Sequence, residues 1–282
     1  MPLLVPHALV GSVAGRGRRG RLSGMGFEAM RSTVSSSRMR RGNEGWVYPD
    51  LVVEVWGEAA CFTRPELKTE RVSYQVMTPS AARGVLEAIF WRPQFRYVVR
   101  KIEVLRPVTW LRVRRNEVKS VITAQDVKKL QADRRHRYDV ERDRDQRSTL
   151  ALRDVRYRVH AQIVVSPEAL AGSEKYPPVS EEKYREQLRR RVERGACFSQ
   201  PFLGCREFTA SFGKADPRQQ RVPFDEELGV MLHSIEYGPQ GERYRWFRAS
   251  VVDGVLEVPE EPLPDKAVAM PLTAWRADAA EG

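Results

Sequence analysis

The apolar positions of this chain switch between two periods. At "YPDLVVEVWGEAACF", Leu51, Val53 and Val55 alternate with Val52, Glu54 and Trp56. A period of two is that of a half-buried strand. In "TPSAARGVLEAIFWRP" the period lengthens, and Ala82, Val85, Leu86, Ile89 and Phe90 fall at i, i+3, i+4, i+7 and i+8. That spacing predicts an amphipathic helix, with Thr78 as N-cap, Pro79 at the first helical position and a stop at Pro93. "FRYVVRKIEVLRPVTWLRV" then reads as one or two strands. The clearest alternation is "LRDVRYRVHAQIVV": Val155, Tyr157, Val159, Ala161 and Ile163 share one face, and Arg156, Arg158, His160 and Gln162 the other. A second helix is predicted at "SEEKYREQLRRRVERG", capped by Ser180 and stopped by Gly195, with Tyr184, Leu188 and Val192 in line. The segments "FLGCREFTASFG", "LGVMLHSIEYG", "RYRWFRASVV" and "GVLEVP" read as short strands, with "YGPQGERY" as a hairpin connection.

This order suits an α+β fold, a ferredoxin-like unit over 46–213 followed by a β-rich extension and tail over 214–282. Residues 114–149 are dense in charges of both signs and are expected to form a long mobile insertion, with a short helix near Ala124–Gln131. Residues 1–45 are rich in Gly, Ser and Arg without periodicity, which predicts a disordered basic extension or a stretch upstream of a later start at Met25 or Met39. The opening apolar stretch carries its charges after it rather than before it and is broken by Pro2 and Pro6, so it does not read as a signal peptide. No repeat of 20–50 residues is visible.

Composition narrows the function classes. The chain has 282 residues, 41% of them apolar, and a mean hydropathy of −0.51, as expected of a soluble globular protein with no membrane span. Cys61, Cys197 and Cys205 show no CxxC spacing, which argues against a disulfide framework or structural zinc and fits a reducing cytoplasm. Lys and Arg number 48 against 37 Asp and Glu, a net charge of +11. Arginine dominates, and its planar fork grips phosphate and stacks on bases, so an acidic polymer such as nucleic acid is the favoured partner.

No P-loop, HExxH, GxSxG or dinucleotide fingerprint is present, and the acidic residues and four histidines suggest neither a metal site nor a cofactor. A nuclease built from these residues is expected to work without metal. It needs a base for the ribose 2′-OH, an acid for the leaving 5′-oxygen and a cation for the phosphate. Three places offer such groups. Lys183 and Tyr184 open the second helix, where backbone N–H groups attract phosphate, although Tyr184 also lies in line with the core positions. His160 stands on the basic face of its strand, where an ordinary exposed histidine is the alternative. "DRRHRYD" carries His136 and Tyr138 in what also reads as a solvated loop. Arg189, Arg190, Arg191 and Arg194 form a candidate phosphate track or a solvated helix face. Arg206 in "GCREF" is either a contact or half of a buried ion pair.

The stretches "FTRPELKTERVSYQVMTPSAARGVLEAIFWRP", "RSTLALRDVRYRVHAQ" and "RGACFSQPFLGCREFTASFG" strongly resemble the CRISPR-associated Cas proteins of family five, subtype d, the type I-C branch of the RAMP superfamily. The likeness runs from about Tyr48 to Pro259. It implies an RNA-recognition-like ferredoxin fold and metal-independent cutting of precursor CRISPR RNA within the repeat. It also implies retention of the 5′ handle as a subunit of the interference complex, and the approach of a loop such as Gly195–Gly204 to RNA. The catalytic set of such proteins is a tyrosine ending the first helix and a Lys-His pair opening the second. In this chain those positions hold Phe90, Lys183 and Tyr184, so only Lys183 matches in kind. Phe90 cannot move a proton, and a tyrosine of ordinary pKa about 10 is a poor base. Tyr184 and Lys183 with a further base from His160, Tyr176 or His136 is one outcome; a subunit that binds the handle without cutting is the other. Arg64, Lys68, Arg71, Arg83, Arg189 and Arg206 are the expected RNA contacts. At about 100° per residue, Phe90 falls roughly 80° from Ala82 and about 20° from Arg83, at the edge of the apolar stripe, where both core and RNA-facing roles are open.

Overall fold

The computed structural model describes residues 46–264 apart from 68, 134, 136, 173–176 and 239–240; the expected extension 1–45 and the tail 265–282 lie outside the described residues. In chain order the elements are β1 (Leu51–Ala60), β2 (Arg71–Val72), α1 (Pro79–Ile89), β3 (Phe95–Val104), β4 (Trp110–Val118), α2 (Ala124–Ala132), β5 (Arg144–Val165), α3 (Pro167–Ala171), α4 (Glu181–Arg194), β6 (Ser211–Lys214), β7 (Glu226–Gly238), β8 (Gly241–Val252) and β9 (Val255–Glu257). The result is a mixed α/β fold dominated by one antiparallel sheet, with strand order β6-β1-β5-β3-β9-β8-β7.

The two expected helices form for the reasons their sequences suggest. Thr78 Oγ1 accepts from the Ala81 N–H, Pro79 opens α1, and Ala82, Val85, Leu86 and Ile89 are buried. The helix ends at Ile89, because Phe90 is already extended on the way to Pro93. Ser180 caps α4 and Gly195 closes it in the left-handed conformation at φ 63°. Glu181 and Glu182 in its first turn and Arg191 and Arg194 in its last complement the helix dipole. Both helices pack on the face of the sheet formed by Val53, Val55, Tyr157, Val159 and Ala161, all buried.

β5 is the spine. Its inner half pairs with β1, Val53 opposite Val159, and with β3, Tyr97 opposite Ile163. Its outer half pairs with β4 from Trp110 opposite Leu152 to Val118 opposite Arg144. The expected insertion forms a hairpin arm from β4 and the outer half of β5, and the short helix expected near Ala124–Gln131 is α2 at its tip, where Thr123 and Asp126 make a capping box. The alternation that marks a strand is muted there because both faces of this two-stranded ladder meet water, so its polar residues carry no burial signal.

The C-terminal strands β7, β8 and β9 extend the same sheet, with Ile102 of β3 opposite Leu256 of β9. β7 and β8 form the expected hairpin, Gly238 facing Gly241; the turn residues 239 and 240 lie outside the described residues. "FLGCREF" is not a strand. It is a loop closed by a single bridge between Phe202 and Thr209. Gly204 sits at φ +83°, and a Cβ there would stand 2.0 Å from the Cys61 carbonyl oxygen, so only glycine lets the loop lie on β1. Among the described residues no helix is long and apolar enough to cross a membrane.

Candidate functional site

The end of α1 and the start of α4 meet over an aromatic cluster. The Phe90 ring is 2% exposed and lies 5.5 Å from Phe95 and 6.2 Å from Tyr184, centroid to centroid. Tyr184 is 3% exposed and packs 4.8 Å from Phe95. Tyr97 donates its hydroxyl to the Phe90 carbonyl at 2.7 Å. Of the two roles left open for Phe90, the structure gives it the core.

The rim of this cluster is polar and basic. Tyr184 donates its hydroxyl to Gln94 Oε1 at 2.9 Å. Burial pushes the Tyr184 pKa up, only partly opposed by the Arg92 charge, so near neutrality it is a phenol that can give a proton and not a phenolate that can take one. Lys183 is exposed in the first turn of α4, with its backbone N–H on the Ser180 cap. Arg191 turns inward out of the predicted phosphate track. Its guanidinium lies 5.4 Å from the Phe90 ring centroid and donates to the Ile89 carbonyl at 3.1 Å. Arg189, Arg190 and Arg194 stay exposed along α4.

The start of α4 is held by a residue that sequence reading passed over. Arg185 is 1% exposed. It donates to Gln162 Oε1 at 2.8 Å, to Glu181 Oε1 at 2.9 Å and to the Pro49 carbonyl, and it lies 5.1 Å from the Tyr48 ring centroid. This ties α4 to β5 and to the segment entering β1, one residue after Tyr184. An arginine inside a run of charged helix residues gives no signal of burial; its place on the Glu181–Leu188 side of the helix is visible only once the helix is docked.

His160 is not brought to this cluster. Its neighbours Val159 and Ala161 face the helices, so His160 faces the other side of the sheet. There its Nε2 stands 3.0 Å from Glu103 and its Nδ1 4.0 Å from Asp50. The expected basic face of β5 is internally paired: fully buried Glu54 holds Arg156 and Arg158 at 2.8 Å each, and Arg158 also holds Glu103 at 2.8 Å. Arg158 further donates to the carbonyls of Asp216 and Gln219, pinning that segment over the sheet. Desolvation and the Lys101 charge hold the His160 pKa down, against the pull of Glu103 and Asp50.

The other expected RNA contacts spread over the surface. Arg64 lies 4.5 Å from the Tyr74 ring centroid and pairs with Glu66 at 3.8 Å. Arg83 pairs with Glu87 at 3.3 Å one turn on, and Arg189 with Glu186 at 3.8 Å. Arg71 sits among Glu207 at 3.3 Å, Glu117 at 3.6 Å and the Cys205 sulfur at 3.6 Å. Arg206 is exposed and not in a buried ion pair. Lys68, His136 and Tyr176 lie outside the described residues. Tyr138 is occupied on the hairpin arm, donating to Asp143 Oδ2 at 2.5 Å. Phe198, not singled out from sequence, is 85% exposed although its backbone is fixed: its N–H donates to the Ala88 carbonyl at 2.9 Å at the end of α1. An exposed ring on a backbone fixed at the Ala88 and Ile89 carbonyls, the second of which Arg191 also reaches, can stack on a base. Among the described residues no group of three or more His, Cys, Asp or Glu is arranged to hold a metal ion.

With this geometry in hand, the chain was compared with known proteins. Residues 50–280 match the Cas5d family model, whose description is CRISPR-associated protein (Cas_Cas5). The chain is 42% identical to the CRISPR pre-crRNA endoribonuclease Cas5d of Mannheimia succiniciproducens, over 73% of this chain and 93% of that one. It is 41% identical to the CRISPR pre-crRNA endoribonuclease Cas5d of Thermus thermophilus, over 75% of this chain and 92% of that one. Among solved structures, the fold is similar to that of a CRISPR-associated protein, with a TM-score of 0.54 and 21% identity over 79% of this chain and 95% of that one. It is also similar to a functionally uncharacterized protein from Streptococcus mutans, with a TM-score of 0.52 and 19% identity over 74% and 92% of the two chains.

Proposed function

The chain belongs to the Cas5d family of CRISPR-associated proteins, and on that basis we propose that it is a metal-independent endoribonuclease that cuts CRISPR repeat RNA. It keeps the 5′ handle of its product and serves, in the cytoplasm, as a subunit of the type I-C interference complex. The observation that carries this reading is the 42% and 41% identity, over most of the chain, to two proteins that each bear the name pre-crRNA endoribonuclease. The sheet supports the finer fold assignment. Strands β6-β1-β5-β3 follow the 4-1-3-2 order of a ferredoxin-like unit, with α1 and α4 as its two helices.

The reaction needs no group beyond side chains and RNA. The 2′-OH gives its proton to a base, for which Tyr176 and His136 remain the candidates, and attacks the adjacent phosphorus; the P–O5′ bond breaks, the 5′-oxygen takes a proton from the acid, and a 2′,3′-cyclic phosphate and a 5′-OH are left. Lys183, exposed in the first turn of α4, offsets the charge that builds on the phosphate, helped by the positive end of the helix dipole. Tyr184, neutral and already donating at 2.9 Å, suits the acid that protonates the leaving 5′-oxygen. His160, behind the sheet, is left out of this set. Arg64, Lys68, Arg71, Arg83, Arg189 and Arg206 remain the proposed contacts to the RNA backbone.

One observation favours a second reading. Phe90 fills the core with a ring that has no hydroxyl, at the position where the family resemblance sets a catalytic tyrosine. A chain without that group could bind the handle and leave cutting to another ribonuclease. Incubation of the purified protein with its repeat RNA in EDTA separates the two. The enzyme reading expects cleavage by wild type that drops in Lys183→Ala and Tyr184→Phe. Tight binding with no cleavage by wild type selects the second reading, and full cleavage by both variants removes Lys183 and Tyr184 from the site.

A further inference from the structure

Away from the aromatic cluster, β1 and the loop after α4 bring two nucleophilic side chains together that the proposed reaction does not use. The Cys61 N–H donates to the Leu203 carbonyl at 3.0 Å, and Gly204 lies directly against the Cys61 carbonyl. The next residue, Cys205, points its sulfur back toward β1. Both sulfurs sit on one hydroxyl: Thr63 Oγ1 is 3.5 Å from Cys61 Sγ and 3.8 Å from Cys205 Sγ. Arg71 Nη1 is 3.6 Å from Cys205 Sγ. Cys61 is fully buried, whereas Cys205 is partly open to solvent.

We propose that Cys205 and Cys61 are a peroxide-reactive dithiol that closes reversibly to an intrachain disulfide, with Cys205 as the attacking thiol and Cys61 as the resolving one. The surroundings divide the work between them. The Cys61 thiol, the Thr63 hydroxyl and the Arg71 charge all stabilise a negative Cys205 sulfur against the cost of its burial and bring its pKa down to about 6. The hydrogen bond to Cys205 and burial push the Cys61 thiol up. The surroundings thus favour the negative charge on the accessible sulfur and the proton on the buried one. That is the arrangement of a redox-sensing cysteine with a resolving partner.

The chemistry balances with hydrogen peroxide as the oxidant. The Cys205 thiolate attacks one peroxide oxygen; the S–O bond forms, the O–O bond breaks, and hydroxide leaves to be protonated to water. The Cys61 sulfur then attacks the sulfenic sulfur of Cys205. The S–S bond forms, the S–O bond breaks, and the Cys61 proton leaves with the hydroxide as a second water. Two thiols lose two electrons and two protons, and one peroxide becomes two waters. Closure removes the thiolate from beside Arg71 and leaves that guanidinium to Glu207 and Glu117. A dithiol reverses the bond by exchange.

The test uses the full chain with Cys197→Ser, reduced, exposed to hydrogen peroxide, then unfolded in guanidinium chloride with iodoacetamide to alkylate every free thiol, and mapped by mass spectrometry without reduction. The expected result is a peptide that joins Cys61 to Cys205, with loss of both free thiols and their return on treatment with dithiothreitol. Cys205→Ser should leave Cys61 fully alkylated, and Cys61→Ser should leave a sulfenic acid at Cys205 that dimedone traps. Cys205→Ser alone suffices where Cys61→Ser does not fold, because its serine lies on the open side of the pair. Full alkylation of both cysteines after peroxide overturns the proposal. So does a disulfide formed only between chains, or loss of the Cys61 thiol at an undiminished rate in Cys205→Ser.

Discussion

Replacing Arg185 by methionine should destabilise the fold far more than any other single change on the surface of α4. The side chain is 1% exposed and its guanidinium satisfies three acceptors at once. Methionine has a similar reach but no donors. Glu181 is 26% exposed and Pro49 lies at the surface, so both can recover water, whereas Gln162, 1% exposed, loses a buried donor. An acceptor left without its donor costs about 1–3 kcal/mol, and breaking a fully buried ion pair about 3–5 kcal/mol. Since Glu181 keeps about a quarter of its side chain in solvent, the sum is about 3 kcal/mol. At roughly 2–4 °C per kcal/mol for a domain of this size, the midpoint of thermal unfolding should fall by about 6–12 °C. Circular dichroism on matched samples measures it, with Arg189→Met as the control, since a half-exposed arginine is worth no more than about 0.5 kcal/mol. A midpoint for Arg185→Met within about 2 °C of wild type, no more than the smallest shift expected for a single kcal/mol, would refute the assignment of Arg185 as the buried tie between α4 and β5.

Other expectations follow from the same contacts. His160 has its pKa held below that of the unfolded chain, so the unfolded state binds the extra proton first. Its contribution to stability is full above the unfolded value near 6.5 and is lost as pH falls below it. His233, lowered mainly by burial, acts in the same direction. Unfolding midpoints measured from pH 7.5 to 5.5 should therefore fall, and fall less steeply in His160→Asn; equal slopes would remove His160 from the account. Phe90→Tyr restores a hydroxyl at the family position. If that position is catalytic in this fold, cleavage is unchanged or faster. If it is core alone, the main effect is a stability loss of about 1–3 kcal/mol from a buried hydroxyl, read by thermal unfolding alongside the cleavage assay.

The parts of the molecule that could be read from sequence are those where burial follows a period. α1, α4 and the inner half of β5 announce themselves because one face of each meets the core and the other was taken to meet water. The outer half of β5 and the part of β4 beyond Val113 escaped, since a ladder wet on both faces needs no apolar alternation. The polar face of β5 misled for a different reason. Arg156, Arg158 and His160 alternate as solvent-facing residues do, yet Glu54 on β1 and Glu103 on β3 lie opposite Arg158, and from there Glu54 also pairs with Arg156 and Glu103 reaches His160. Only the register reveals that pairing. Of the candidate site, Lys183 and Tyr184 were legible as the opening of a capped helix. The inward turns of Arg185 and Arg191 depend on how α4 docks, which no local pattern encodes.

The central claim is that this chain cuts repeat RNA by making the ribose 2′-OH the nucleophile. The most direct measurement uses a repeat RNA with one 2′-deoxy nucleotide at the position immediately 5′ of the scissile phosphate, incubated with wild-type protein in EDTA beside the all-ribose substrate. The account predicts undiminished binding, no cut at the deoxy position, and a 2′,3′-cyclic phosphate on the product of the all-ribose RNA. Cleavage of the deoxy substrate at the same bond, or a product ending in a 3′-hydroxyl, would contradict it.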